Sequence, residues 1–243
     1  MSALLVVGLG RIGLPVALVA ADCGFNVIGI DANLEHVKSL NENKTPFEEP
    51  GLLELLKKCN DSTFQAFTWS NISTANLDDI KWIVLTIGVH VLPFPEPADL
   101  TLLHSVIDEL VKKDALNGRI LILRTTLPVG TTLSLAEHIE SIHNLIEGED
   151  YFLAFVPERL VEGNAIVEER TLPKIVGPMS NGALTGTREL FERIGGKVIP
   201  LNGPKEAEFV KLIDNAWRHT RFAFSNDAAL AANAMGVDII DII

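Results

Sequence analysis

The sequence predicts an α/β protein, a doubly wound and mostly parallel sheet followed by a long interdomain helix. Three observations predict it. A short apolar run at residues 4–7 opens into Gly8-x-Gly10-x-x-Gly13 and a helix-like stretch, and a second apolar run then ends at Asp31. Apolar runs go on alternating with helical patterns as far as Pro200, as a parallel sheet covered on both faces requires. Beyond Gly203-Pro204 no residue breaks a helical pattern until Gly236.

The elements follow in order. After the helix over residues 14–23 and its Gly24 stop, Leu34, Val37 and Leu40 mark a second helix. A loop with Pro46 and Pro50 precedes a third helix over residues 52–58. Strand-like runs occupy residues 64–67 and 82–87. Three prolines make residues 90–97 a loop, after which Asp99 caps a helix carrying Leu102, Leu103, Val106, Ile107 and Leu110 at core spacing. Residues 119–124 read as a buried strand, 133–145 as a helix, 152–156 and 174–177 as strands, 183–194 as a helix and 197–200 as a strand. On the last helix Ala207, Val210, Ile213, Trp217, Phe224, Ala228, Ala231 and Met235 share one stripe. Phe222 and Ala229 lie among the polar residues of the other face, which predicts protein on both sides. The division expected is a dinucleotide-binding domain at 1–202 and the start of a central helical, dimerising domain at 203–243. The final run, apolar and without a polar tail, reads as an interior point of a longer protein.

Composition narrows the function. At 243 residues the chain buries a sizeable core, and 47% hydrophobic with 21% charged residues is ordinary for a globular protein. A net charge of −12 with no basic stripe argues against nucleic acid or an anionic membrane as partner. The apolar N-terminus lacks a basic leader, and Arg11 and Asp22 interrupt any span, so no targeting or membrane segment is read. Cys23 and Cys59 have no metal or redox spacing, which fits a reducing cytoplasm.

The glycine motif predicts chemistry. Gly8 permits the tight turn from strand to helix, Gly10 admits a pyrophosphate to the backbone, and Gly13 lets helix and strand pack closely. Free amides at the helix start, around Arg11 and Ile12, are expected to face the phosphates; the Arg11 side chain either adds charge there or faces solvent. Asp31, 18 residues past Gly13, suits a ribose 2′-hydroxyl and repels a 2′-phosphate, which favours NAD over NADP.

Three further stretches stand out. In Arg124-Thr125-Thr126-Leu127-Pro128-Val129-Gly130-Thr131-Thr132 a strand's carboxyl end turns into a helix, where hydroxyls meet a ligand or, equally, cap the helix. In Val156-Pro157-Glu158-Arg159-Leu160-Val161-Glu162-Gly163-Asn164 two carboxylates four apart suit acid–base work if they enter one cleft; a solvated loop has the same pattern. Lys211 and Asn215, one helical turn apart, suit an oxyanion or a catalytic water, and also suit an ordinary surface pair. His138 and His143 are five apart, a poor helical metal pair, and no metal site is counted.

Together these residues carry a resemblance. The chain resembles the UDP-glucose/GDP-mannose dehydrogenase family, the nucleotide-sugar 6-dehydrogenases, over essentially its whole length. GLGRIGLPVAL is similar to the family's GLGYVGLP opening, and TPFEEPGLLEL at 45–55 to its P-x-x-EPGL segment. RTTLPVGTT is similar to STVPPGTT, PERLVEG to PEFLxEG, and KLIDNAW to the K-x-x-x-N of the central helix. The resemblance implies a Rossmann-like domain and a two-step oxidation of a sugar C6 alcohol to the carboxylate with two NAD. By position, Thr126 and Glu158 would flank the reacting carbon and a water, and Lys211 and Asn215 would stabilise oxyanion charge. Glu162 would border the sugar site and Thr125 would contact the cofactor. His36 falls where relatives carry Arg or Lys near the adenosine ribose.

The chain also departs from the family. The V-P-T-P cofactor loop is here Ile87-Gly88-Val89-His90. The family's nucleophilic cysteine belongs to a G-G-x-C segment beyond the central helix, so the 243-residue chain is expected to bind NAD without completing the oxidation. Arg159 and the Thr171-Leu-Pro-Lys-Ile-Val-Gly177 run lean towards the UDP-N-acetylhexosamine branch. Two rivals stand beside this reading. A β-hydroxyacid dehydrogenase shares the opening and K-x-x-x-N but lacks PERLVEG and EPGL. A non-catalytic NAD-binding module would bind cofactor without turnover.

Overall fold

A computed structural model describes residues 3–60, 62–90 and 98–242. Eight strands form one sheet: β1 (Ala3–Val7), β2 (Asn26–Ile30), β3 (Phe64–Phe67), β4 (Ile80–Leu85), β5 (Ile120–Leu123), β6 (Phe152–Phe155), β7 (Lys174–Pro178) and β8 (Val198–Pro200). Their order is β3-β2-β1-β4-β5-β6-β7-β8. All neighbours run parallel except β6 and β7, which pair antiparallel through Ala154–Pro178 and Phe155–Gly177.

Period-two alternation assigns each strand residue to one of two cores. Leu4 and Val6 pack with Leu14, Ala17 and Leu18 of α1 (Gly13–Asp22), with Val37 and Leu40 of α2 (Leu34–Asn41), and with Leu52 and Leu56 of α3 (Leu52–Cys59). Leu5 and Val7 pack on the other face. Their partners there are Leu103 and Ile107 of α4 (Thr101–Lys112) and Leu135 and Ile139 of α5 (Thr131–His143). The expected covering of both faces is thus realised. Asn33 caps α2 by accepting from the amides of Glu35 and His36.

Some boundaries differ from expectation. Asp99 is not the cap of α4; Leu100 holds that position, and Asp99 accepts from the Thr101 amide at 2.9 Å from one residue further out. Leu102 leaves the core stripe and is 53% exposed. A seven-residue helix, α6 (Ala165–Thr171), follows the PERLVEG segment, where no helix is predicted. Pro93, Pro95 and Pro97 of the expected proline loop lie outside the described residues; His90 and Asp99 pair in an isolated antiparallel bridge.

After α7 (Asn181–Ile194), the helix α8 (Pro204–Ala234) starts with proline in its first turn and rests on β7 and β6 through its N-terminal part. Past Lys211 it stands clear of the domain. Trp217 is 61% and Met235 77% exposed, and of the described residues in that part only Ala232 is buried. The described residues therefore do not supply the protein on both sides of α8 that the sequence predicts.

Candidate active site

The sheet order changes direction between β1 and β4, and Val7 pairs with both Ile30 and Leu85, so the three strands end level. Ligands of doubly wound sheets bind in the crevice at such a point. Here the crevice is a cleft of about 580 Å³ lined by Gly8, Gly10, Asp31, Trp69, Thr86 and Val106 among others. Gly8 has φ +92°, a left-handed conformation that side chains disfavour. At Gly13 a Cβ would lie 1.8 Å from the Gly8 carbonyl oxygen and 2.4 Å from Thr86 Oγ1, so helix and turn meet only because glycine stands there. At Gly10 a Cβ would meet nothing within 4 Å, which leaves backbone open to a pyrophosphate. The Asp31 carboxylate is held from both sides, Oδ2 accepting from the Leu9 amide at 2.9 Å and Oδ1 from the Asn33 amide at 2.9 Å. The open backbone and the fixed acid fit a dinucleotide.

The other residues singled out in the sequence divide. The Arg11 guanidinium pairs with Glu162 and lies 5.4 Å from the centre of the Phe47 ring. Arg11 and Ile12 line a second cavity, about 110 Å³, together with Glu49, Glu158, Leu160 and Glu162. The two carboxylates of PERLVEG thus enter one space. His36 does not line the cofactor cleft, and its Nε2 is buried without a hydrogen-bond partner. Thr125 Oγ1 donates to the Ile87 carbonyl at 2.5 Å, tying the turn after β5 to the loop after β4. Neither Thr125 nor Thr126 caps α5; Gly130 precedes that helix, and Thr126 is exposed.

Lys211 and Glu158 come together across the fold. Lys211 Nζ lies 3.7 Å from Glu158 Oε2, with side chains 8% and 13% exposed, and Glu158 Oε1 accepts from the Leu160 amide. Asn215, half-buried, follows one turn later on α8. The cysteines take no part: neither lines the cleft or the second cavity, and burial pushes the Cys59 thiol up, away from thiolate.

Three supporting residues escaped the sequence reading. Glu49 of the EPGL segment accepts from the amides of Gly163 (2.9 Å) and Ala165 (2.8 Å), fastening the PERLVEG loop and the start of α6. Thr86 closes the glycine turn by donating to the Gly8 carbonyl at 2.7 Å. Fully buried Glu208, one turn before Lys211, accepts from the Gly130 amide (2.6 Å), the Thr132 amide (2.8 Å) and the Thr132 hydroxyl (2.6 Å). Glu208→Ala strands these donors, at about 1–3 kcal/mol for each one left buried. Urea unfolding should show a loss in that range, and an unchanged midpoint would contradict the clamp.

The strand order, the glycine turn and the acid closing the second strand define a dinucleotide-binding α/β domain. The chain belongs to the UDP-glucose/GDP-mannose dehydrogenase family: residues 2–195 match its NAD binding domain and residues 205–243 its central domain. A UDP-N-acetyl-D-mannosamine dehydrogenase of Pyrococcus horikoshii is 30% identical over 240 residues, covering 98% of this chain and 56% of the relative. A solved structure of UDP-D-ManNAc dehydrogenase from Pyrococcus horikoshii superposes with TM-score 0.89 at 28% identity, covering 99% of this chain and 56% of that one. The NDP-N-acetyl-D-galactosaminuronic acid dehydrogenase of Methanosarcina mazei Go1 gives TM-score 0.79 at 27% identity, covering 100% and 52%. The chain therefore spans about half the length of these relatives. Among the described residues no helix is long and apolar enough to cross a membrane.

Proposed function

We propose that the protein carrying this chain oxidises the C6 hydroxyl of a UDP-sugar to the carboxylate, with a UDP-N-acetylhexosamine as the preferred substrate. The observation that carries the reading is the Lys211–Glu158 pair, 3.7 Å apart and almost closed to solvent, beside the cavity that Glu162 borders. NAD, when bound, supplies the hydride acceptor. Gly8, Gly10 and Gly13, with the amides of Arg11 and Ile12, hold the pyrophosphate, and Asp31 takes the adenosine ribose. Thr125 acts on the cofactor through the loop it ties to Ile87, and His36 lies outside the cleft lining, on the helix that follows Asp31. Lys211 and Asn215 donate to the sugar oxygen as charge develops on it. Glu158, with the Thr126 hydroxyl, orders a water and accepts its proton.

Residues 1–202 form the cofactor domain in this proposal, and 203–243 begin a central unit through which two copies pair. The exposed Trp217, Phe222, Phe224, Leu230 and Met235 support pairing along α8. The family, the charge of −12 and the free cysteines fit a cytoplasmic protein. The test is NADH formation by a polypeptide that includes the rest of the relatives' length. UDP-N-acetylmannosamine, UDP-N-acetylgalactosamine and UDP-glucose are the substrates to compare. Two NADH per sugar with an N-acetylhexosamine preferred is expected. NAD binding without NADH from any nucleotide sugar would replace this reading by the non-catalytic module.

A further inference from the structure

Half of the chain's six histidines gather where α4 meets α5. His143 Nε2 lies 2.8 Å from Asp108 Oδ1, and His138 Nε2 lies 3.9 Å from the same oxygen. One ligand atom from each of these three residues lies within 4.8 Å of the other two. A tetrahedral ion with bonds of about 2.0–2.2 Å sets its ligand atoms about 3.3–3.6 Å apart, between the two separations seen. An ion pair between His143 and Asp108 alone does not account for His138, whose Nε2 is shielded from solvent without a hydrogen-bond partner. His104 stacks on His138 with ring centres 4.1 Å apart and planes 8° from parallel, which holds the His138 ring in place.

We propose that Asp108, His138 and His143 bind a divalent first-row transition ion of the zinc type, with water in the fourth position, and that the ion staples α4 to α5. Two imidazoles and one carboxylate suit zinc and its neighbours, whereas magnesium and calcium prefer oxygen ligands throughout. Asp108 also lines the cofactor cleft, so the staple lies at its wall. The spacing of His138 and His143 hides the site, because five residues along one helix turn two side chains about 140° apart. They converge on an acid from the adjacent helix.

The test is titration of the untagged, chelator-treated chain with Zn²⁺ by calorimetry, with Co²⁺ as an optical probe. One ion per chain, visible bands of four-coordinate cobalt, and a Tm that climbs with Zn²⁺ concentration are expected. His138→Asn and Asp108→Asn should each weaken binding by about tenfold or more, on the scale of losses at metal sites. His219→Asn, on exposed α8 surface, should leave it unchanged. If either substitution prevents folding, His143→Gln at the last residue of α5 carries the same expectation. No stoichiometric binding, or equal affinity in the folded ligand variants, would overturn the proposal.

Discussion

Replacing Glu169 by alanine is expected to destabilise the chain by about 3–5 kcal/mol, the cost of stripping a buried charge of its partner. Glu169 is fully buried on α6 and accepts from Arg124 Nη1 at 2.8 Å and Nη2 at 3.1 Å. Lys174 Nζ stands 3.4 Å from its Oε2 and donates to the Glu169 carbonyl at 2.7 Å. Removing the carboxylate leaves two cations in the interior, one of them at the start of the 124–132 turn. Urea unfolding should show a lower midpoint with an unchanged slope. A loss under about 1 kcal/mol, the level of an exposed pair, would contradict this.

Lys174 adds a pH signature. Burial pushes its amine down to about 8 from an ordinary 10.5, with Glu169 pulling the other way. Between those values the unfolded chain keeps a proton that the folded chain has released, so this group makes stability rise with pH across that window. Lys174→Met should remove the rise and cost less than Glu169→Ala, because Arg124 keeps its two-bond partner. Unfolding curves at pH 8 and pH 10 check both statements, and an unchanged pH slope in Lys174→Met would contradict the first.

The largest effect on activity is expected from Lys211→Met. It should lower kcat by about 10²–10³-fold, the loss on removing a donor to developing oxyanion charge, with NAD affinity unchanged. Methionine matches the length and apolar stem of the lysine, and Glu158 keeps the Leu160 amide as a donor. Glu158→Gln should fall in a similar range, about 10²–10⁴-fold, through loss of the proton acceptor. Unequal effects on kcat and on cofactor binding separate a role in the chemistry from a structural one. Wild-type turnover in Lys211→Met would remove the pair from the mechanism.

Much of this molecule is legible in its sequence because local periodicity is a local fact. The apolar runs became the eight strands, and the glycine turn fell where its spacing demands. The chemistry at Gly8, Gly10, Gly13 and Asp31 could be stated from residue types, since the constraint there is backbone space and one charge. What escaped has other causes. Seven residues of α6 are too few to display helical periodicity, and the β6–β7 pairing spans only two residue pairs, so its antiparallel sense leaves no mark in either strand's own pattern. Arg11 sits inside the fingerprint yet answers to Glu162, 151 residues away. Glu49 with Gly163, Arg124 with Glu169 and Thr132 with Glu208 join segments 114, 45 and 76 residues apart. Such pairs leave no mark in either segment alone.

The most direct test of the cofactor site is calorimetric titration of the 243-residue chain with NAD and with NADP. The account predicts one NAD per chain and weaker NADP, because Asp31, fixed by the Leu9 and Asn33 amides, offers a 2′-phosphate only repulsion. Asp31→Ala should raise the NAD dissociation constant by about 5- to 150-fold, the equivalent of about 1–3 kcal/mol for a lost hydrogen bond to a charged group. NADP binding as tightly as NAD, or an Asp31→Ala chain that binds NAD unchanged, would contradict it.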